Sequence, residues 1–184
     1  MHTFDDGYQN FYEYAFPLLK QYGFNATVFL IVGSLGQATG EKFRLMGWQE
    51  IHRLKDEGIL FGSHSFSHRS LTSLFPAEIV REGAQSRTLK ERGLGVPVTA
   101  FSYPNGHFDA VVEHLIGACG YTIGVSTDTG LSNLNGGPLS FPRIEVMGTY
   151  TFQDFVNKIG QCLLHSFKSF LSWLIHYRNE AEDF

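Results

Sequence analysis

Strand-like apolar runs and amphipathic helical segments alternate along most of this chain, and few folds accommodate that rhythm. Residues 8–22 carry apolar side chains at helical spacing, with Gly23 as the stop. Residues 26–32 (ATVFLIV) form a β-branched and aromatic run of buried-strand length. The alternation continues with a helix over 48–57 closed by Gly58 and a short strand over 59–62. Next come a helix over 76–92 ending at Gly93, a strand over 98–103, a helix over 108–118 and a strand over 121–126. Such a βαβα order predicts an α/β fold, a parallel sheet or barrel with its helices outside. Active sites of such folds lie at the C-terminal ends of the strands. A length of 184 residues suits one domain with a sizeable core. We expect the barrel over 1–150 and a C-terminal helical segment over 151–184. Within that segment, 152–177 show a broad apolar face (Phe155, Ile159, Leu163, Phe167, Phe170, Leu171, Leu174). Packing on the barrel is the expected use of this face. The alternative is an oligomer or membrane-surface contact, favoured if Phe170 and Trp173 are exposed.

Composition narrows the function classes. With 43% hydrophobic and 17% charged residues the chain is not disordered, and a net charge of −4 gives no electrostatic case for nucleic acid or anionic membranes. Because no apolar run reaches the ~20 residues that span a bilayer, no transmembrane segment is expected. Cys119 and Cys162 lack metal or redox spacing and read as small buried hydrophobes. Aromatic residues reach 15%, enough both to fill a core and to stack on sugar rings; composition does not separate the two uses. No signal peptide precedes the first motif. The chain is therefore cytoplasmic as written, or secreted or periplasmic behind a removed N-terminal segment.

Three features carry chemistry. Thr3-Phe4-Asp5-Asp6-Gly7 places adjacent carboxylates before a glycine. That arrangement is either a solvated turn or a division of labour, in which one carboxylate binds a cation and the other takes a proton from water. In Ser63-His64-Ser65-Phe66-Ser67-His68, histidines four apart on one side of a helical turn can reach one ion. The pair directly follows a strand, where an active-site loop belongs. One carboxylate and two histidines suit catalytic zinc and leave positions open for water and substrate. Phe101-Ser102-Tyr103-Pro104-Asn105-Gly106 is a strand ending in a Pro-x-Gly turn, which alone reads as an ordinary loop.

In this order, TFDDG, HSFSH and SYPNG resemble motifs one to three of the polysaccharide deacetylase (NodB-homology) domain, carbohydrate esterase family 4, over about residues 3–146. The resemblance implies a deformed (β/α)7-type barrel, TIM-barrel-like and single-domain, with Asp5 as catalytic base. It implies a divalent metal on Asp6, His64 and His68, with zinc the first choice and cobalt, nickel or manganese as others. Acetylated carbohydrate is the implied substrate, N-acetylglucosamine polymers above all. Tyr103, Pro104 and Asn105 would line the substrate, and the Tyr103 amide or a neighbouring one would steady the oxyanion.

Several positions depart from the family pattern. The third motif ordinarily carries an arginine that orients the base; here Ser102 stands in that place and Asn105 in the aromatic one. Phe141-Pro142-Arg143-Ile144 resembles the Pro-Arg-Ile signature of a subgroup lacking that arginine, so Arg143 is expected to pair with Asp5, or else to make a structural ion pair. Asp128 is the candidate for the fourth motif and otherwise a turn former. Leu163-Leu164-His165 matches the letters of the fifth motif but lies in a helical pattern. His2, His107 or a water are the other candidate proton donors, His107 the more reachable because it follows the third motif directly. Only two residues precede Thr3, so the first strand is expected to be short. The rival functions are an O-acetyl-xylan esterase, a non-sugar amidase on the same fold, and a catalytically silent carbohydrate-binding module.

Overall fold

The computed structural model describes residues 2–39, 43–127 and 137–160. Two compact units are present: Met1–Ser126 with Gly136–Phe141, and Thr127–Asn135 with Pro142–Phe184. Described elements of the first unit run β1 (His2–Phe4), α1 (Phe16–Gln21), β2 (Ala26–Leu30), β3 (Ala38–Thr39) and β4 (Phe43–Arg44). They continue with α2 (Trp48–Asp56), β5 (Leu60–Ser63), α3 (Pro76–Leu94), β6 (Ala100–Ser102), α4 (Ala110–Ala118) and β7 (Ile123–Val125). Five strands form one parallel sheet in the order β1-β2-β5-β6-β7. The sheet curls into half a barrel, consistent with the deformed barrel that the resemblance implies. β3 and β4 pair separately as a small antiparallel ladder.

Strand β2 shows why the sheet forms. All five of its residues are buried, as befits a strand covered on both faces, and its apolar run has no polar side to offer water. The core gathers Val28, Leu30, Ile51, Leu54, Phe101, Tyr103, Ile116 and Tyr121. Phe101 meets Tyr103 and Tyr121 edge-on at 5.3 and 4.9 Å, and Tyr103 stacks on Phe108 at 4.8 Å. Part of the aromatic excess is therefore core.

Two details differ from the sequence reading. The helix expected over 8–22 forms as a π-turn over Phe11–Ala15 running into α1. Pro17, at the start of α1, has no N–H to continue the α ladder across that junction. Helix α3 ends two residues later than expected, because Gly95 rather than Gly93 takes the left-handed stop, at φ 69°. Gly93 has another task. A Cβ there would lie 2.1 Å from the Trp48 ring, so the glycine lets α2 pack closely on α3.

In the second unit, residues 152–160 are helical. Thr151 and Asp154 cap that start reciprocally, the Thr151 N–H donating to the Asp154 carboxylate at 2.9 Å and the Asp154 N–H to the Thr151 hydroxyl at 3.2 Å. The remainder of the expected 152–177 helix, with His165, Phe170, Trp173 and Cys162, lies outside the described residues, as does Asp128. Among the described residues no helix is long and apolar enough to cross a membrane.

The Trp48 contact makes Gly93→Ala the more damaging of the two glycine substitutions. We expect a loss of about 1–3 kcal/mol from overpacking at Gly93 and roughly 1 kcal/mol at Gly95, read from urea denaturation midpoints.

Candidate metal centre

Asp5 and Asp6 follow β1, His64 and His68 follow β5, and residues 103–106 follow β6, so all sit at the C-terminal ends of parallel strands. Four described non-glycine residues have positive φ: Asp6 at 68°, Ser65 at 61°, His68 at 63° and Asn105 at 58°. All four lie in these three loops. Left-handed backbone is disfavoured for side-chain-bearing residues, so its concentration here marks the loops as held for a purpose other than stability.

Asp6, His64 and His68 come together, with one ligand atom from each within 4.8 Å of the others. Asp6 Oδ1 lies 3.5 Å from His64 Nε2 and 3.4 Å from His68 Nε2. That oxygen is buried and has no hydrogen-bond partner among the described residues. Two donors each about 2.0–2.2 Å from one tetrahedral ion would stand roughly 3.3–3.6 Å apart, so these separations suit a shared cation better than direct hydrogen bonds.

The imidazole of His64 is already in the matching state. Its Nδ1 lies 2.8 Å from the Ser102 carbonyl oxygen, which can only accept, so Nδ1 carries the proton and Nε2 turns a lone pair toward Asp6. Burial pushes the His64 pKa down, partly opposed by the charge of Asp5, and keeps the ring neutral. Without a proton on Nε2 this ring cannot satisfy Asp6. Tyr8 faces the same carboxylate; its phenol is pushed up by burial, then by the Asp6 charge and a hydrogen bond to Asp6. The arrangement of Asp6, His64 and His68 therefore fits a divalent cation.

The histidine pair differs from expectation in one respect. Residues 64–70 form an irregular loop instead of a helical turn. The His68 N–H donates to the Ser65 hydroxyl at 2.9 Å, and a tight turn with two left-handed residues brings both rings to one side, their centroids 4.7 Å apart. A sequence spacing of four is met by helices and by such turns alike, so spacing alone could not separate them.

Asp5 accepts a hydrogen bond from the Ser102 hydroxyl at 3.2 Å. The residue in the arginine position thus holds the carboxylate itself, while its carbonyl holds His64. Arg143 belongs to the second unit, and its pairing with Asp5 stands as a proposal.

The loop after β6 requires a correction. Tyr103 is fully buried in the core, its phenol donating to the Leu139 carbonyl at 2.9 Å and its N–H to the Val125 carbonyl at 3.1 Å. Neither group is open to a substrate or an oxyanion, because the aromatic ring that the motif presents is used to close the core. Pro104 is buried as well, whereas Asn105 and His107 are exposed. Sequence reasoning missed Tyr8 and the donor role of Ser102. Tyr8 follows the first motif directly, and that adjacency was its one signal.

The half-barrel and its strand-end loops define an α/β protein with a three-residue constellation suited to a cation. The polysaccharide deacetylase family profile matches residues 1–124, and the chain belongs to that family. A Bacillus subtilis relative, YxkH, whose name places it among the polysaccharide deacetylases, is 33% identical over 144 residues, 78% of this chain and 50% of its own length. The chain thus spans about half of that relative. Among solved structures, the Streptococcus pyogenes deacetylase PplD, in complex with acetate, superposes with a TM-score of 0.75 at 26% identity, covering 85% of this chain and 68% of its own. A polysaccharide deacetylase from Bacillus cereus gives 0.72 at 26% identity, covering 85% and 50%.

An unsatisfied buried carboxylate oxygen costs stability that a cation would recover. Asp6→Asn should therefore leave the metal-free protein as stable as wild type or more so, since asparagine tolerates positive φ equally well. Wild type should gain thermal stability on addition of zinc, and the variant should not; calorimetric scans with zinc and with chelator check both.

Proposed function

We propose that the protein is a metal-dependent hydrolase that removes N-acetyl groups from N-acetylglucosamine-containing poly- or oligosaccharides. The observation that carries this reading is the partnerless Asp6 Oδ1 between two imidazole nitrogens, beside a second carboxylate held by its own donor. Membership of the deacetylase family supports it, and so does the acetate in PplD, since acetate is what deacetylation releases.

Asp6, His64 and His68 would hold the cation, with zinc the first choice and cobalt, nickel or manganese as others. Bound there, it would supply Lewis acidity and bring the pKa of a water molecule to roughly 7. The chain's own residues do the rest. Asp5 takes the proton from the attacking water, and the Ser102 hydroxyl fixes the carboxylate's orientation for that transfer. Ser102 also couples the two halves of the site, since its carbonyl sets the tautomer of His64. The leaving amine must gain a proton, and exposed His107 at the end of the third motif is our candidate donor, with Asp128 as a candidate orienting group. Arg143 is a second candidate partner for Asp5. With Tyr103 in the core, exposed Asn105 is the residue of that motif we assign to the substrate side.

Zinc-loaded protein given N-acetylated chito-oligosaccharides should release acetate, and a chelator should abolish the release. Asp5→Asn should keep about one equivalent of zinc yet lose roughly 100- to 10,000-fold in rate, the usual weight of a general base. Release from acetylated xylan alone would move the assignment to an O-acetyl esterase. Sugar binding without release in metal-loaded wild type would contradict hydrolysis.

A further inference from the structure

Helix α3 carries a buried polar stripe where an apolar one would pack more cheaply. Glu82, Ser86 and Lys90 are spaced by four and share one face, all at 6% exposure or less. Each reaches toward the loop that bears the two histidines. Glu82 Oε2 accepts from the Phe66 and Ser67 N–H groups at 2.9 Å each, and its Oε1 accepts from the Ser67 hydroxyl at 2.6 Å. One turn on, the Ser86 hydroxyl donates to the Ser65 carbonyl at 2.9 Å. Below it, the Lys90 amine donates to Ser63 Oγ at 3.0 Å and also to Ser86 Oγ. Tyr121 closes the cluster, its phenol donating to the Gly83 carbonyl at 3.1 Å.

None of this is what stability alone would choose. Burying an amine against two hydroxyls is costly, and desolvation pushes the Lys90 pKa well down, with the charge of Glu82 opposing it. The segment so held is the one with left-handed backbone at Ser65 and His68, a conformation it would leave if free. A carboxylate taking two successive N–H groups compensates locally for that conformation. The Ser65–His68 bond then passes it to the metal ligand.

We propose that Glu82 and Ser86 are positioning residues of the metal centre. They hold residues 65–68 so that the His68 imidazole meets Asp6 and His64 before any ion arrives, and Lys90 fixes the Ser86 hydroxyl for the task. Preformed ligands spare the ion the cost of ordering a loop, so the clamp acts on affinity. This inference rests on the metal reading above.

The test measures zinc affinity by competition with a chromophoric chelator, together with the visible spectrum of the cobalt form, for wild type, Glu82→Gln and Ser67→Ala. Glu82→Gln should bind roughly ten- to hundred-fold more weakly with altered cobalt bands, the usual effect of removing a ligand's outer support. Ser67→Ala loses only one of the three bonds from an exposed hydroxyl, and should weaken binding by a smaller factor, about two- to ten-fold. It keeps the test decisive even if Glu82→Gln does not fold. Folded variants with wild-type affinity and superposable cobalt spectra would overturn the inference, even with a lowered denaturation midpoint, because the clamp would then be structural only. Wild type that takes up no metal would instead overturn the metal reading, and the clamp with it.

Discussion

A buried carboxylate oxygen must find a hydrogen-bond donor or a cation, and Asp6 Oδ1 has no donor among the described residues. The neighbouring imidazole cannot help, because the Ser102 carbonyl has drawn the His64 proton to the opposite nitrogen. The His64 Nε2 lone pair and the Asp6 carboxylate oxygen, 3.5 Å apart, repel one another in the absence of a cation. The rest of the site follows from keeping that unfavourable arrangement in place.

Three strand ends share the task. β1 delivers the two carboxylates, β5 the two histidines, and β6 the serine that binds one member of each pair. Parallel strands are needed for this, since only then do successive loops emerge on one side of the sheet. Gly7 completes the first loop at φ 81°, where a Cβ would lie 2.6 Å from Leu30 Cδ2. The turn that presents Asp6 is therefore tied to the packing of β2. Residues with positive φ at Asp6, Ser65 and His68 recur around the ligands because the backbone is bent to aim side chains, and the half-barrel supplies the rigidity that sustains the bends.

Much of this was legible in the sequence, and the exceptions have physical causes. Apolar periodicity found four of the five sheet strands, β2, β5, β6 and β7, and the helices between them, because burial on both faces leaves β2 no polar alternation. Composition of the motifs offered His64, His68 and one of two adjacent carboxylates as cation ligands, since few residue types bind cations, and only the family resemblance singled out Asp6. Local pattern could not tell a left-handed turn from a helical one at 64–68, nor which of Gly93 and Gly95 ends α3, because both depend on what the residues pack against. Nor does local pattern say whether an aromatic after a strand faces the cleft or the core; Tyr103 faces the core. Glu82, Ser86 and Lys90 were visible as a helix-period polar stripe, yet such a stripe ordinarily faces water. Only the tertiary fold turns it inward.

The central claim is that Asp6, His64 and His68 form one preassembled cation site. X-ray absorption at the zinc edge, on protein carrying one equivalent of zinc, tests it most directly. The account predicts two imidazole nitrogens at about 2.0–2.1 Å and carboxylate oxygen at about 2.0–2.2 Å, with no sulfur. A shell of light atoms without imidazole scattering, or one unchanged when His64 is replaced by alanine, would contradict it.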